Sequence, residues 1–225
     1  MLVVTENWRR QYAGASMGLL VVENAQCLGR SEALEQQRRQ VEKELREAFG
    51  SKEELDASRV LAAYSQYYKR FKKTYHVRQQ LESVIFKGKS IPSVTPLVEA
   101  MFMAELKNGL LTAGHDLEQV QGGLTLDAAS GEESYVLLNG KEQTLKAQDM
   151  FLRDKAGVLS SIIYGPDKRT CIGPDTKSAV FTVYAPNGIS RESVEHHLKD
   201  IYSYVRLAAP QVLQIEQKIY ESEKI

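Results

Sequence analysis

The stretch SIPSVTPLVEAMFMAELKNGLLTAGHDLEQVQGG, residues 90–123, holds a complete helix signal followed by a corner. Thr95 is placed to cap the helix, Pro96 fits its first position, and Gly109 marks its stop. Between them LVEAMFMAEL is apolar almost all round, which predicts a central, buried helix. Glu99 and Glu105 interrupt it, and a carboxylate on such a helix needs a partner or a cavity to line. Beyond it, His115 and Asp116 stand side by side before Gly122-Gly123. Adjacent side chains point in different directions, so this pair reads as an Asp116 that caps the DLEQV turn and a His115 that packs.

Upstream, MGLLVVENA (17–25) reads as a buried strand. Ser31 then caps a charged helix through about Phe49, stopped by Gly50 and striped by Leu34, Val41, Leu45 and Phe49. Ser51 with Glu54 forms a capping box for a further helical segment reaching the early seventies. Its rings (Tyr64, Tyr67, Tyr68, Phe71, Tyr75) recur at helical spacing, which assigns them to the core. The interleaved cations Lys69, Arg70, Lys72 and Lys73 form either a phosphate-facing patch or a solvated face.

Downstream come strand signals and turns, with Asn139-Gly140 as a hairpin signal. DMFLRD, GVLSSIIYG and SAVFTVYAP read as strands. Ser190 opens a closing helix that Pro210 interrupts, and VLQIEQKIYESEK reads as a last helical segment. Helices, then strands, then helices define an α+β protein. The chain is expected to form a single domain over 1–225: an N-terminal strand and helical lead-in (1–80), a core (81–189) and C-terminal helices (190–225).

Composition narrows the function classes. The 225 residues carry 29 basic and 29 acidic side chains, so any attraction for nucleic acid or anionic membrane must be local. No phosphate-binding loop, dinucleotide fingerprint or nucleophile elbow occurs. Cys27 and Cys171 are far apart and leave a single disulfide open. Scattered Cys and His offer no zinc set, and His196-His197 reads as a solvated face of the closing helix. No metal or cofactor is expected. The short apolar run at 17–22 cannot span a bilayer, and the N-terminal order is unlike a signal peptide, so a cytoplasmic protein is expected.

From Pro92 to Pro186 the ordered features resemble the B3/B4 domain of the bacterial phenylalanyl-tRNA synthetase beta subunit, and more closely the stand-alone B3/B4-domain proteins. The matching segments are PSVTPLVEAMFMAEL, AGHDLEQVQGGLTLDAASGEESYVLLNG, TLKAQDMFLRDKAGVLSSIIYG and IGPDTKSAVFTVYA. The resemblance implies a layered domain, a mixed or antiparallel sheet flanked by helices, with a pocket that receives the 3′ end of mischarged tRNA. It further implies hydrolysis of the aminoacyl ester by a positioned water, with tRNA or aminoacyl-tRNA as a weak, salt-dependent partner. Carried over by position, Glu99, His115, Asp116, Tyr164, Gly165, Asp175 and Thr176 become pocket candidates, while the patch of Lys69, Arg70, Lys72 and Lys73 supplies the RNA-binding candidates. The pattern's pocket histidine falls on Ala113, its helix asparagine on Phe102, its strand cation on Asp127 and its last-strand glutamate near Thr182. Three readings follow: an aminoacyl-tRNA deacylase acting in trans, a non-catalytic RNA- or small-molecule-binding module, and a protein-interaction scaffold.

Overall fold

The computed structural model describes residues 2–27 and 29–222. The buried helix falls where its signals put it: α6 spans Pro96–Asn108, Thr95 Oγ1 accepts from the Val98 amide, and Gly109 closes it at φ +67°. A side chain at Gly109 would strain that left-handed turn, which explains the abrupt stop.

Two sheets lie against each other, and helices cover one of them. Sheet A has five strands in the order β1–β4–β7–β8–β9. These are β1 (Leu2–Val4), β4 (Leu124–Ala128), β7 (Met150–Arg153), β8 (Val158–Ser161) and β9 (Gly165–Pro166). Sheet B has the order β11–β2–β10–β3, from β2 (Ser16–Glu23), β3 (Thr112–Asp116), β10 (Ala179–Ala185) and β11 (Leu213–Glu221). Sheet B is antiparallel throughout, while β1 pairs in parallel with β4, so the architecture is mixed α+β. The Asn139-Gly140 signal closes a separate hairpin of β5 (Ser134–Val136) and β6 (Glu142–Thr144).

Every residue of β10 is buried, because helices cover one of its faces and sheet A the other. On the helix side α6 and α7 (Arg191–Ala208) press close. A Cβ at Gly18 of β2 would lie 2.6 Å from Val194 Cγ1 of α7, so only glycine admits that approach. On the sheet side the Tyr184 hydroxyl of β10 meets Ser160 Oγ of β8 at 2.8 Å.

The tyrosines expected in the core are there, and their hydroxyls have work at the ends of strands and helices. They arise from α4 (Arg59–Arg70) and the turn after it. Tyr64 accepts from the Leu111 amide at 2.9 Å, and Tyr67 accepts from the Met150 amide at 2.6 Å while donating to Asp149 at 2.8 Å. Tyr68 donates to the Ile162 carbonyl and Tyr75 to that of Gly109. Each of these tyrosines therefore buries apolar area while its hydroxyl finds a backbone partner, which avoids the desolvation cost of about 1–3 kcal/mol for burying it unbonded.

Four parts of the chain differ from the sequence reading. The segment begun at Ser51 is two helices, α3 (Lys52–Asp56) and α4, because Ser58 caps a new start. A further helix, α5 (His76–Lys87), follows. At the N-terminus β1 and α1 (Glu6–Gln11) precede the first expected strand. VLQIEQKIYESEK is not a helix: residues 213–221 form β11, paired along β2 from Leu213↔Glu23 to Glu221↔Ser16. Backbone pairing with an open edge outweighs the helix propensity of its Glu, Gln and Lys. The charged helix begun at Ser31 is confirmed as α2 (Glu32–Ala48).

Candidate functional site

His115 and Asp116 part company at the end of β3. His115 points between the sheets and is fully buried. Its Nδ1 lies 2.8 Å from Thr170 Oγ1 and its Nε2 3.1 Å from Ser160 Oγ. The chain of contacts continues outward: Thr170 Oγ1 donates to Asp167, and Arg169 lies 3.7 Å from Asp167 and 3.0 Å from Asp154. Burial, reinforced by the Arg169 charge and opposed by Asp154, pushes the imidazole down to about 3. It is neutral across the physiological range, so its 3.9 Å approach to Asp167 is not an ion pair. With both nitrogens engaged and no solvent contact, His115 organises the space between the sheets, as the packing reading expected.

Asp116 faces the other way and works as the cap its position predicted. Oδ1 accepts from the Glu118 amide at 2.9 Å, and Oδ2 accepts from Thr176 Oγ1 at 2.7 Å. Thr176 Oγ1 also accepts from the Gly173 amide at 3.0 Å, so the 173–176 loop is clasped to the end of β3. Asp175 itself is exposed.

Glu99 occupies a different place. Arg38 of α2 meets it at 3.0 Å and Ser93 donates to it, which supplies the partners its buried position demanded. It forms part of the wall of a cleft of about 370 Å³ shared by Arg38, Ser93, Thr95, Pro96 and Pro174. The 173–176 loop therefore touches both the Glu99 cleft, through Pro174, and Asp116, through Thr176. Glu105 is sealed: its carboxyl oxygen accepts from the Thr112 amide at 2.9 Å, and burial raises the group to about 8.

Tyr164 and Gly165 lie away from this cluster. Gly165, at φ +80°, begins β9, and its carbonyl accepts from the Tyr135 hydroxyl at 2.7 Å. The Tyr164 ring lies under the Lys73 ammonium, 5.7 Å from its centroid, which links the expected pocket wall to the basic segment.

That basic segment turns at the end of α4. Lys69, Arg70, Lys72 and Lys73 are exposed, and none makes an ion pair among the described residues. The Arg70 guanidinium is fixed over the Tyr12, Tyr67 and Phe71 rings at 5.5–5.7 Å. Lys146 joins the four from across the turn, its ammonium 2.8 Å from the Phe71 carbonyl.

The substituted positions are informative. Ala113 and Thr182 are direct cross-strand partners of β3 and β10, so one small patch of sheet B carries Ala and Thr where the resemblance placed His and Glu. Asp127 anchors α1, accepting from Thr5 Oγ1 at 2.7 Å and from Asn7 at 3.1 Å. Phe102 is half-buried against the core.

Sequence reasoning missed the network around His115. Ser160, Asp167, Thr170 and Tyr184 sit in strands or turns with no spacing signature, and they meet only through tertiary pairing. It also misplaced His197, which is fully buried, 2.7 Å from Thr112 Oγ1 and 3.2 Å from Asn108; only His196 is exposed. The signal available was position, since His197 lies three residues after the buried Val194 on α7. Cys27 and Cys171 are both free. Among the described residues, no group of three or more His, Cys, Asp or Glu is placed to hold a metal ion, and no helix is long and apolar enough to cross a membrane.

The layered fold, with α6 behind the β3–β10 edge and a polar space between the sheets, is matched by known proteins. The sequence profile of the B3/4 domain matches residues 62–207, well over half of the chain, and the protein belongs to the B3/4 domain family. Among curated proteins it is similar to phenylalanine–tRNA ligase beta subunits. The one from Anaeromyxobacter dehalogenans (strain 2CP-C) is 28% identical over 51% of this chain and 15% of its own length. The one from Leifsonia xyli subsp. xyli (strain CTCB07) is 26% identical over 48% of this chain and 13% of its own length. The chain thus corresponds to a small part of these relatives. An N-terminal fragment of the phenylalanyl-tRNA synthetase beta subunit from Pyrococcus horikoshii shares the fold, with a TM-score of 0.50 at 14% identity, covering 97% of this chain and 50% of that one.

Proposed function

We propose that this protein is a cytoplasmic tRNA-binding B3/4-domain protein that holds RNA through its phosphates and does not hydrolyse the aminoacyl ester. The observation that carries the reading is the turn after α4: four exposed cations without a carboxylate partner among the described residues, on a chain of zero net charge. An unpaired local cluster attracts a polyanion without the self-repulsion of a wholly basic protein. Family membership, with its similarity to tRNA ligase subunits, makes tRNA the natural polyanion.

The absence of hydrolysis rests on the chemistry of the candidate pocket. His115 has both nitrogens occupied and no opening to solvent, so it has no route to a substrate's proton. Ala113 and Thr182 offer no base where the resemblance placed one.

Retention of unfractionated tRNA on native gels at low salt tests the first half. Lys69→Ala/Lys72→Ala/Lys73→Ala is expected to weaken retention about tenfold or more, since each lost phosphate contact releases fewer counterions. Unchanged retention in that variant removes the patch from the mechanism. Incubation with tyrosyl-tRNA and a panel of other aminoacyl-tRNAs tests the second half. Release at the buffer rate is expected, and faster release by the purified protein establishes the deacylase reading instead.

A further inference from the structure

The turn that carries the cations divides them. Phe71 and Lys72 close the end of α4 by donating their amides to the Tyr68 and Lys69 carbonyls, at 3.0 and 3.1 Å. Lys72 then takes φ +55°, and the chain reverses toward α5. Lys69 and Lys73 line a cleft of about 510 Å³ on one side, with Arg78. Arg70, Lys72 and Lys146 line a second cleft of about 340 Å³ on the other. The first cleft includes one carboxylate, Asp56, already held by Arg78 at 2.6 Å; the second has none.

We propose that the two clefts are separate phosphate subsites on one path, so that an RNA backbone crosses the ridge at Lys72 with phosphates seated on both sides and its bases unread. The inference rests on the RNA-binding reading above and specifies how that surface engages its ligand.

The rings explain the second part. Tyr64, Tyr67, Tyr68, Phe71 and Tyr75 are all turned inward, so the ridge offers them to no base. Tyr164 has its face covered by the Lys73 ammonium. Single-strand binders that accept bases need open aromatic platforms, and a surface of exposed cations without one recognises charge. The division of the cations explains the first part. Lys72 and Lys73 are sequence neighbours that line opposite clefts, so a single phosphate cannot satisfy both. Successive phosphates of a strand lie several ångströms apart and can. The positive end of α5 borders the first cleft, and its N-cap Tyr75 supplies no side-chain acceptor, which adds to the field of Lys69 and Lys73.

The test is a salt titration of binding to short fluorescent uridine and adenosine oligomers, using the full chain. The variants are Lys69→Gln/Lys73→Gln, Lys72→Gln/Lys146→Gln and all four together, each checked by thermal melting for intact fold. For the parent, log affinity against log salt is expected to fall with a slope of about −3, from about −0.7 per single-strand phosphate contact. Each paired variant is expected to flatten that slope by about one half and to weaken low-salt affinity about tenfold, with the fold-changes multiplying in the quadruple variant. The two oligomers are expected to bind within about threefold of each other. A paired variant that leaves slope and affinity unchanged reduces the path to one cleft and overturns the proposal while sparing RNA binding. A preference above tenfold between uridine and adenosine also overturns it. Failure of the parent to bind tRNA or either oligomer at low salt overturns this proposal and the RNA-binding reading together.

Discussion

His115 and Lys72 mark opposite uses of polar groups in one fold. Around His115, polar atoms are withdrawn from water and satisfied one by another, from Tyr184 through Ser160 and Thr170 to Asp167. Around Lys72, rings are withdrawn and charges are left outside with no carboxylate partner among the described residues. A satisfied interior network holds the sheets at one spacing but has no bonding capacity left for a ligand. An exposed unpaired cluster contributes little to stability and keeps its bonding capacity free. The contrast places architecture at the His115-Asp116 corner and, on the function proposed above, recognition in the exposed cations.

The largest expected effect comes from breaking the interior network. His115→Ala leaves Ser160 and Thr170 short of a partner and opens a cavity between the sheets, at a cost of about 3 kcal/mol by urea unfolding. Retention of tRNA by the folded variant should equal that of the parent. Normal stability with lost retention would reverse the comparison.

A smaller effect, resolved by pH, comes from Glu105. Burial raises its carboxyl from an ordinary 4.5 to about 8, so the folded chain keeps a proton that the unfolded chain releases. Its contribution is fully present below about pH 4.5 and is lost as pH rises toward 8. Glu105→Gln keeps an acceptor for the Thr112 amide without the proton. It is expected to match the parent near pH 5 and exceed its stability near pH 9 by on the order of 2 kcal/mol, read from denaturation midpoints across that range. Asp149, raised to about 7 by burial, titrates in the same direction, so some slope should persist below pH 7 in the variant. A parent whose stability does not fall between pH 5 and 9 would show that Glu105 ionises without cost.

The smallest effect sharpens the other side. Lys72 holds a left-handed backbone that glycine adopts freely, so Lys72→Gly should stabilise the fold by about 0.5–1 kcal/mol. The same change should weaken tRNA retention about threefold. Opposite signs in the two measurements are the signature of a residue placed for recognition against the local preference of the backbone.

Much of the fold was legible wherever local chemistry and tertiary demand agreed. Thr95, Pro96 and Gly109 bound α6 because caps and stops are local events. The run SAVFTVYAP gave a buried strand because β10 is covered on both faces. The rings of α4 were placed correctly by their spacing alone. Legibility failed where pairing decides. In β11 only Ile219 is buried, and Leu213 and Ile215 stay half-exposed, so alternation is barely written into the strand. Strand β1 has three residues, too few for any period. Of the expected pocket residues, Asp116 and Thr176 meet directly, the 173–176 loop links them to the Glu99 cleft, and Tyr164 stands with the basic turn. Sequence order placed them on the right elements, but which elements face one another is a property of sheet order.

The threading of the first strands has a consequence for how the protein is handled. Strand β1 enters sheet A beside β4, Trp8 follows fully buried, and β2 then crosses to sheet B, where it lies between β10 and β11. The segment that identifies the family, residues 62–207, contains neither β1 nor β2 and stops short of β11. A fragment cut to that segment would leave β10 with one bare edge and would expose the faces of Leu19, Leu20 and Val22's partners to water. The stretch by which the protein is recognised is therefore smaller than the unit that must fold, and the residues outside it act as the clamp that joins its two sheets.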